Sequence, residues 1–354
     1  MELRDYAGVF HIHTVMSDGT GSIFDVVDAG HRAGVDFLVI TDHRSVAYRT
    51  EGFEGWYGKL LVLVGQEVTP KRNHLVAMGL NEVVKTDGCE DTESHISKVS
   101  ELGGLAIAVH PHHHPHYRRT FWKVIAVPWD NWNRPEIDGV ELWSFMADWV
   151  HPINLFNPLS MIYYIKRPDR AIEGPSSAVI EEWDRITQKR RMPAVGGVDA
   201  HASKDPLNIF CVFPYDFIFG TIRTHIIAPE FTGHLKDDEK TVTEAFREGH
   251  CYISYDWLKD ARGFMFECTG GGERWIMGDE LEFKEGLELH AGQPARAHIT
   301  LVRNGKPILT KERERLEFKI EEPGVYRIEV RLNNRPWIYS NPIYIREDNN
   351  NAGS

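Results

Sequence analysis

The sequence predicts an α/β domain followed by an all-β module. Three observations predict it. Short β-branched runs alternate with amphipathic stretches over the first two thirds of the chain, and His, Asp or Glu residues recur at the ends of those runs. Near residue 260 the pattern changes to short alternating runs divided by Gly- and Asn-bearing turns. The 354 residues have room for one large domain and a smaller one at roughly 150 residues per domain. The expected division is 1–260 for the main domain, 261–348 for the β module and 349–354 for a polar tail.

Taken in order, Gly8–His13 reads as a strand and Ser22–Gly34 as a helix that Gly34 ends. Asp36–Thr41 and Leu60–Glu67 are apolar runs bounded by polar residues, as in strands buried on both faces. His74–Gly79 and Leu105–His110 read as further strands, with a helical period over Asp91–Leu102 between them. Gly139–Trp143 and Ala194–Val198 complete the strands, joined by a helix over Ser176–Arg190. This alternation predicts mostly parallel strands, in a barrel or an open sheet, with the chemistry at their carboxyl ends. Tyr117–Pro175 is rich in Trp and Pro and reads as a long excursion over a site. From Gly263 onward, Asn304–Gly305 and Pro323–Gly324 mark turns of a small sandwich.

A hydrophobic share of 42% excludes disorder. Forty basic against 52 acidic residues leave a net charge of −12, which repels duplex nucleic acid. Four separated cysteines without a CxxC pair indicate a reducing compartment. No apolar run approaches the ~20 residues that span a bilayer, so the expectation is a soluble cytoplasmic protein with no membrane partner. The oligomeric state stays open.

The 18 histidines are informative by position. His11 and His13 close the first strand, where a period of two turns both rings to one face. Asp18 follows in the next loop, and Asp42 and His43 close the second strand. Glu67 closes the third, His74 opens the next, His110 ends LAIAV, and Asp199 and His201 close GGV. Each alone is an ordinary polar residue at a strand end. Two H/D-x-H pairs with a Glu between them, however, match a polynuclear metal site. Imidazole with carboxylate suits Zn, Mn or Fe, and a carboxylate such as Glu67 can bridge two ions.

HIHT with SDG, TDH, Glu67 with His74 after it, HP and GVDAH, in that order, resemble the polymerase and histidinol phosphatase (PHP) superfamily over roughly residues 7–255. The resemblance implies a distorted (β/α)7 barrel holding up to three divalent ions. By position, the first ion would be held by His11, His13, Glu67 and Asp199. The second would share Glu67 and add His74 and His110, and the third would take Asp18, His43 and His201. The trailing module, ending in Pro336–Pro342, is similar to that of the CehA/McbA-type metallohydrolases, a group named for carbamate hydrolysis.

The expected activity is hydrolysis of a small anionic substrate, a phosphoester before a carbamate or carboxyl ester. A non-catalytic metal- or ligand-binding protein is the remaining alternative. Glu67 would bridge, Asp199 would move a proton, and Arg44, one residue after His43, would hold the anion or else pair with a local carboxylate. Lys71, Arg72, Arg118 and Arg119 add positive charge. His112, His113, His114 and His116 form a solvated loop or touch substrate. Trp122, Trp129, Trp132, Trp143 and Trp149 form core or an apolar wall. There is no G-x-S-x-G elbow, Walker-A loop or dinucleotide fingerprint.

Overall fold

The computed structural model describes residues 2–70, 72–86, 92–111, 129, 131–154, 157–203 and 211–347. The His112–His116 tract, Lys71, Arg118, Arg119, Trp122, Cys89 and the polar tail lie outside them.

The first half runs β1 (Leu3–Ile12), α1 (Ile23–Ala33), β2 (Phe37–Ile40), α2 (Ala47–Thr50), β3 (Gly55–Tyr57), β4 (Leu60–Val64), β5 (Gln66–Val68) and β6 (Leu75–Met78). There follow α3 (Thr92–Glu101), β7 (Leu105–Ala108), β8 (Gly139–Ser144), α4 (Phe145–Val150), α5 (Pro158–Lys166), α6 (Ser177–Thr187) and β9 (Ala194–Gly197). The chain continues through α7 (Tyr215–Ile218), β10 (Ile222–Pro229), α8 (Leu235–Glu248) and β11 (Cys251–Tyr255). The last strands are β12 (Met265–Gly270), β13 (Glu273–Ile276), β14 (Glu280–Glu282), β15 (Glu288–Arg303), β16 (Lys306–Lys319), β17 (Gly324–Leu332), β18 (Arg335–Ser340) and β19 (Ile343–Arg346).

Local chemistry explains the ends of α1. Ser22 and Asp25 form a reciprocal capping box, and Gly34 stops the helix at φ 66° with its N–H on the Gly30 and His31 carbonyls. The Asn304–Gly305 turn has φ values of 51° and 78°, as a two-residue hairpin between right-twisted strands requires.

The strands form two sheets. One has the order β13-β12-β15-β17-β18-β11-β10-β1-β2-β4-β3, and the other β5-β6-β7-β8-β9. The expectation of mostly parallel strands is only partly met. Pairs β1–β2, β2–β4, β7–β8 and β8–β9 are parallel, but β5–β6 and β6–β7 are antiparallel. The stretch from Val68 to Leu75 is too short for the crossover that a parallel pair needs. Leu60–Glu67 is likewise two strands rather than one, broken at Gly65 and divided between the sheets. A Cβ at Gly65 would stand 2.6 Å from the Ala77 carbonyl oxygen, so the break requires glycine.

Backbone bonds join the sheets where the ligand-type residues lie. The Glu67 N–H donates to Thr41 O at 3.0 Å, and the His13 N–H to Ala200 O at 2.9 Å. The C-terminal strands continue the larger sheet through β11 and β18, with Ile253 opposite Tyr339. Two buried polar contacts fasten them. Arg327 grips Asp184 with two bonds of 2.8 Å, and Asn341 bonds both backbone groups of Ala194. Among the described residues no helix is long and apolar enough to cross a membrane.

Candidate metal centre

All nine ligand-type residues singled out in the sequence converge at the strand ends, in three groups whose ligand atoms lie within 4.8 Å of one another. One group is His11, His13, Glu67 and Asp199, a second is Glu67, His74 and His110, and a third is Asp18, His43 and His201 joined by His13.

Alternation along β1 does not by itself aim the first pair. His11 has φ 72° and sits in a register shift between β1 and β2. Arg44, Asn73, His110, Asp199 and Ala202 also have positive φ and are ligand-type residues or their immediate neighbours. Such conformations cost of order 1–3 kcal/mol each for non-glycine residues and persist where surrounding structure over-determines them. Their concentration here marks a site whose side-chain aim is held against backbone preference.

Glu67 is the hub. Its Oε2 lies 3.3 Å from His11 Nε2, 3.3 Å from His13 Nε2 and 3.2 Å from His43 Nδ1. Its Oε1 lies 3.1 Å from His74 Nδ1 and 3.2 Å from His110 Nε2. Asp199 Oδ1 stands 3.5 Å from His11 Nε2 and 3.3 Å from His13 Nε2. Asp18 reaches His201 at 3.2 Å and His43 at 3.5 Å.

These residues fit a metal. His11 Nε2, both ring nitrogens of His13 and His43 Nδ1 are buried with no hydrogen-bond partner among the described residues. Leaving a buried polar atom unpaired costs on the order of 1–3 kcal/mol. Two ligands on one tetrahedral ion with bonds of about 2.0–2.1 Å stand about 3.3–3.4 Å apart, the spacing found around the first group.

Electrostatics points the same way. Burial works against a charged His11, yet Glu141, Asp199 and Glu67 hold its pKa well above the usual range. His201 is raised to about 9 against its burial, chiefly by Asp199 and Asp18. Burial alone would raise Glu67 and Asp199, but the surrounding imidazoles hold both carboxyls well below their ordinary values. The pocket demands positive charge, supplied by protons or by a cation.

Two carboxylates support the ligands: Glu141, which the sequence reading missed, and Asp42, which it placed only as the close of the second strand. Glu141 on β8 accepts from His11 Nδ1 at 3.0 Å and from the His110 backbone N–H at 2.7 Å. The first contact fixes the His11 tautomer and turns Nε2 toward Glu67. Gly197 makes room for it, since a Cβ there would lie 1.8 Å from Glu141 Oε1. Asp42 accepts from the Thr14 N–H at 2.7 Å, the Thr14 hydroxyl at 2.6 Å and Ser17 Oγ at 2.5 Å, shaping the loop that carries Asp18. The available signal was a Glu inside the otherwise apolar run GVELW.

Arg44 is exposed beside His43 and makes no ion pair among the described residues. Arg72 is exposed as well. Trp129, Trp132, Trp143 and Trp149 are buried in the main apolar cluster, so they are core.

No known protein-family profile matches the chain. An uncharacterized protein of Methanocaldococcus jannaschii is 29% identical over 116 residues, a match taking in 29% of this chain and 66% of that protein, just under two thirds of its length. Among solved structures, a two-domain protein from Bacteroides vulgatus containing a predicted PHP-like metal-dependent phosphoesterase is similar over 96% of this chain and 95% of its own, at 14% identity and a TM-score of 0.45. A proposed metal-dependent phosphoesterase from Bifidobacterium adolescentis is similar over 56% of this chain and 89% of its own, at 15% identity and a TM-score of 0.35.

Proposed function

We propose that this chain is a metal-dependent hydrolase of the PHP superfamily that uses two to three divalent ions, of Zn, Mn or Fe, to cleave phosphomonoesters. One observation carries the reading: buried imidazole nitrogens without hydrogen-bond partners among the described residues crowd around a single carboxylate, Glu67. On this reading β1, β2, the β4–β5 pair and β6 to β9 are the seven strands of a distorted (β/α)7 barrel, residues 1–260 the catalytic domain and 261–348 the β module.

When bound, the ions supply Lewis-acid charge and lower the pKa of a coordinated water from about 15.7 toward about 7. Glu67 sets the spacing of the first two groups, with one carboxylate oxygen facing each. Asp199, whose Oδ1 lies 3.5 Å from His201 Nδ1, would take a proton from the attacking water and return it to the leaving oxygen. Arg44, exposed and next to His43 in the chain, would supply a guanidinium for phosphoryl oxygens.

The test is elemental analysis of protein purified without chelator and reloaded with each metal, followed by assays on phenyl phosphate, phenyl acetate and an aryl carbamate. Two to three ions per chain and a higher kcat/KM on the phosphate are expected. Fewer than one ion per chain, or turnover of neutral esters alone, overturns it.

A further inference from the structure

A cavity of about 370 Å³ opens against the second group, sharing His110 with it, and is lined as well by Glu141, which accepts from His11 Nδ1 and the His110 N–H. That volume lies within the range of small-molecule sites. Its inner wall is β8 and α4, and its opposite lip is the start of α6. No Lys or Arg stands among its described lining residues.

Ser144 makes this more than a gap in packing. It lines the cavity at the N-cap of α4, where a serine hydroxyl ordinarily accepts from the first helical N–H groups. Here it makes no such bond, and its Oγ is buried with no partner among the described residues. A ligand hydroxyl in the cavity would satisfy it. Across the cavity, Ser177 and Ala178 are exposed and belong to the first turn of α6, whose leading N–H groups have no intrahelical acceptor.

The remaining polar lining discriminates by charge. Glu141 is buried in the wall and Glu173 is exposed at the rim, so an anion entering here meets like charge. Asp148 takes bonds from Trp143 Nε1 and the Gly174 N–H, yet burial raises its carboxyl to about 8. At neutral pH it is an uncharged acid with a proton to donate. Its intermediate exposure is explained by the cavity it faces. Arg44, the cation suited to a phosphoryl group, stands beside His43 in the third group instead.

We infer that this cavity receives the leaving-group half of the substrate, and that the group it takes is an uncharged one bearing hydroxyls, such as a polyol or a sugar. The inference rests on the phosphomonoesterase reading. In that reaction a P–O bond forms from water, the P–O bond to the alcohol breaks, and the alcohol leaves with a proton from the attacking water.

The test uses the full chain loaded with metal and two esters of matched skeleton, glycerol 3-phosphate and 3-phosphoglycerate, which differ by a carboxylate in the leaving group. At least a tenfold higher kcat/KM is expected for glycerol 3-phosphate. Ser144→Ala should lower that value three- to tenfold, and Ala178→Trp, which fills the cavity from its exposed lip, more than tenfold, with metal content unchanged in both. Equal or better turnover of 3-phosphoglycerate overturns the pocket while the phosphomonoesterase reading stands. So does an Ala178→Trp variant with undiminished activity. Failure to turn over either ester or phenyl phosphate, with ions bound, overturns that reading and this inference with it.

Discussion

Among the described residues, two buried clusters of histidine and carboxylate differ in what fills their carboxylates, although each holds a buried imidazole nitrogen without a hydrogen-bond partner, His225 Nε2 in the second. At the strand ends, six histidines crowd around three carboxylates. On β10 and β11 a single histidine, His225, is clamped between Asp5 at 2.9 Å and Asp256 at 3.6 Å. There the carboxylates are filled by protein donors. Asp5 accepts from the Tyr252 hydroxyl and the Gly263 N–H, both at 2.7 Å, and Asp256 from Ser254 at 2.7 Å and Arg223 at 3.1 Å. The excess of imidazole over carboxylate, rather than histidine burial itself, separates a cluster shaped for cations from one that ties the start of the C-terminal strands to β1.

The largest effect should come from removing the hub. Glu67→Gln is expected to leave less than one ion per chain and to lower phosphomonoester turnover by about a thousandfold or more, read by elemental analysis and initial rates. Retention of both would remove Glu67 as the shared ligand and erase the contrast with His225.

The reverse experiment follows. His225→Asn leaves buried carboxylates without their imidazolium and should cost about 3 kcal/mol in urea unfolding. Metal content should not change. Loss of metal in this variant would mean that the two clusters are coupled.

Next in size, Glu141→Gln should weaken metal affinity by about 10- to 100-fold, as is usual for a group that orients a ligand histidine. Gly197→Ala should do the same through the displaced carboxylate. Titration with a competing chelator measures both, and unaltered affinity would reduce Glu141 to a packing role.

The smallest effect is in pH. Asp256 and Asp5 raise the His225 pKa from 6.5 to about 9 against its burial. A raised pKa contributes stability that is full below the unfolded value and is lost as pH rises through the folded one. The stability gap between the wild type and His225→Asn should therefore be widest near pH 6 and narrow by about 1–3 kcal/mol by pH 10. A gap independent of pH would show that His225 acts by shape alone.

Much of the α/β half was legible. The α1 helix came from Ser22, Asp25 and Gly34, because caps are local chemistry. The buried strands were visible as apolar runs, and the nine ligand-type residues stood out because metal-binding side chains recur at strand ends in a fixed order. Three features were not legible. The break at Gly65 depends on Ala77, a residue of the neighbouring strand. The left-handed turn at His11 depends on a shift between β1 and β2. The continuity of the C-terminal strands with the larger sheet depends on the pairing of β18 with β11, which alternation along either strand leaves unspecified.

By itself, then, the sequence determined which side chains with metal-binding chemistry stand at or near the ends of buried strands, since patterning and capping act within a few residues of the chain. Tertiary structure alone decided how they are aimed. Glu67 meets five imidazoles from four other strand ends, Glu141 reaches His11 across 130 positions, and Ser144 holds a hydroxyl without a partner among the described residues in a cavity that the start of α6 also lines. Those contacts depend on sheet register, strained backbone and the volume of distant neighbours, which are properties of the packed chain and not of any one segment.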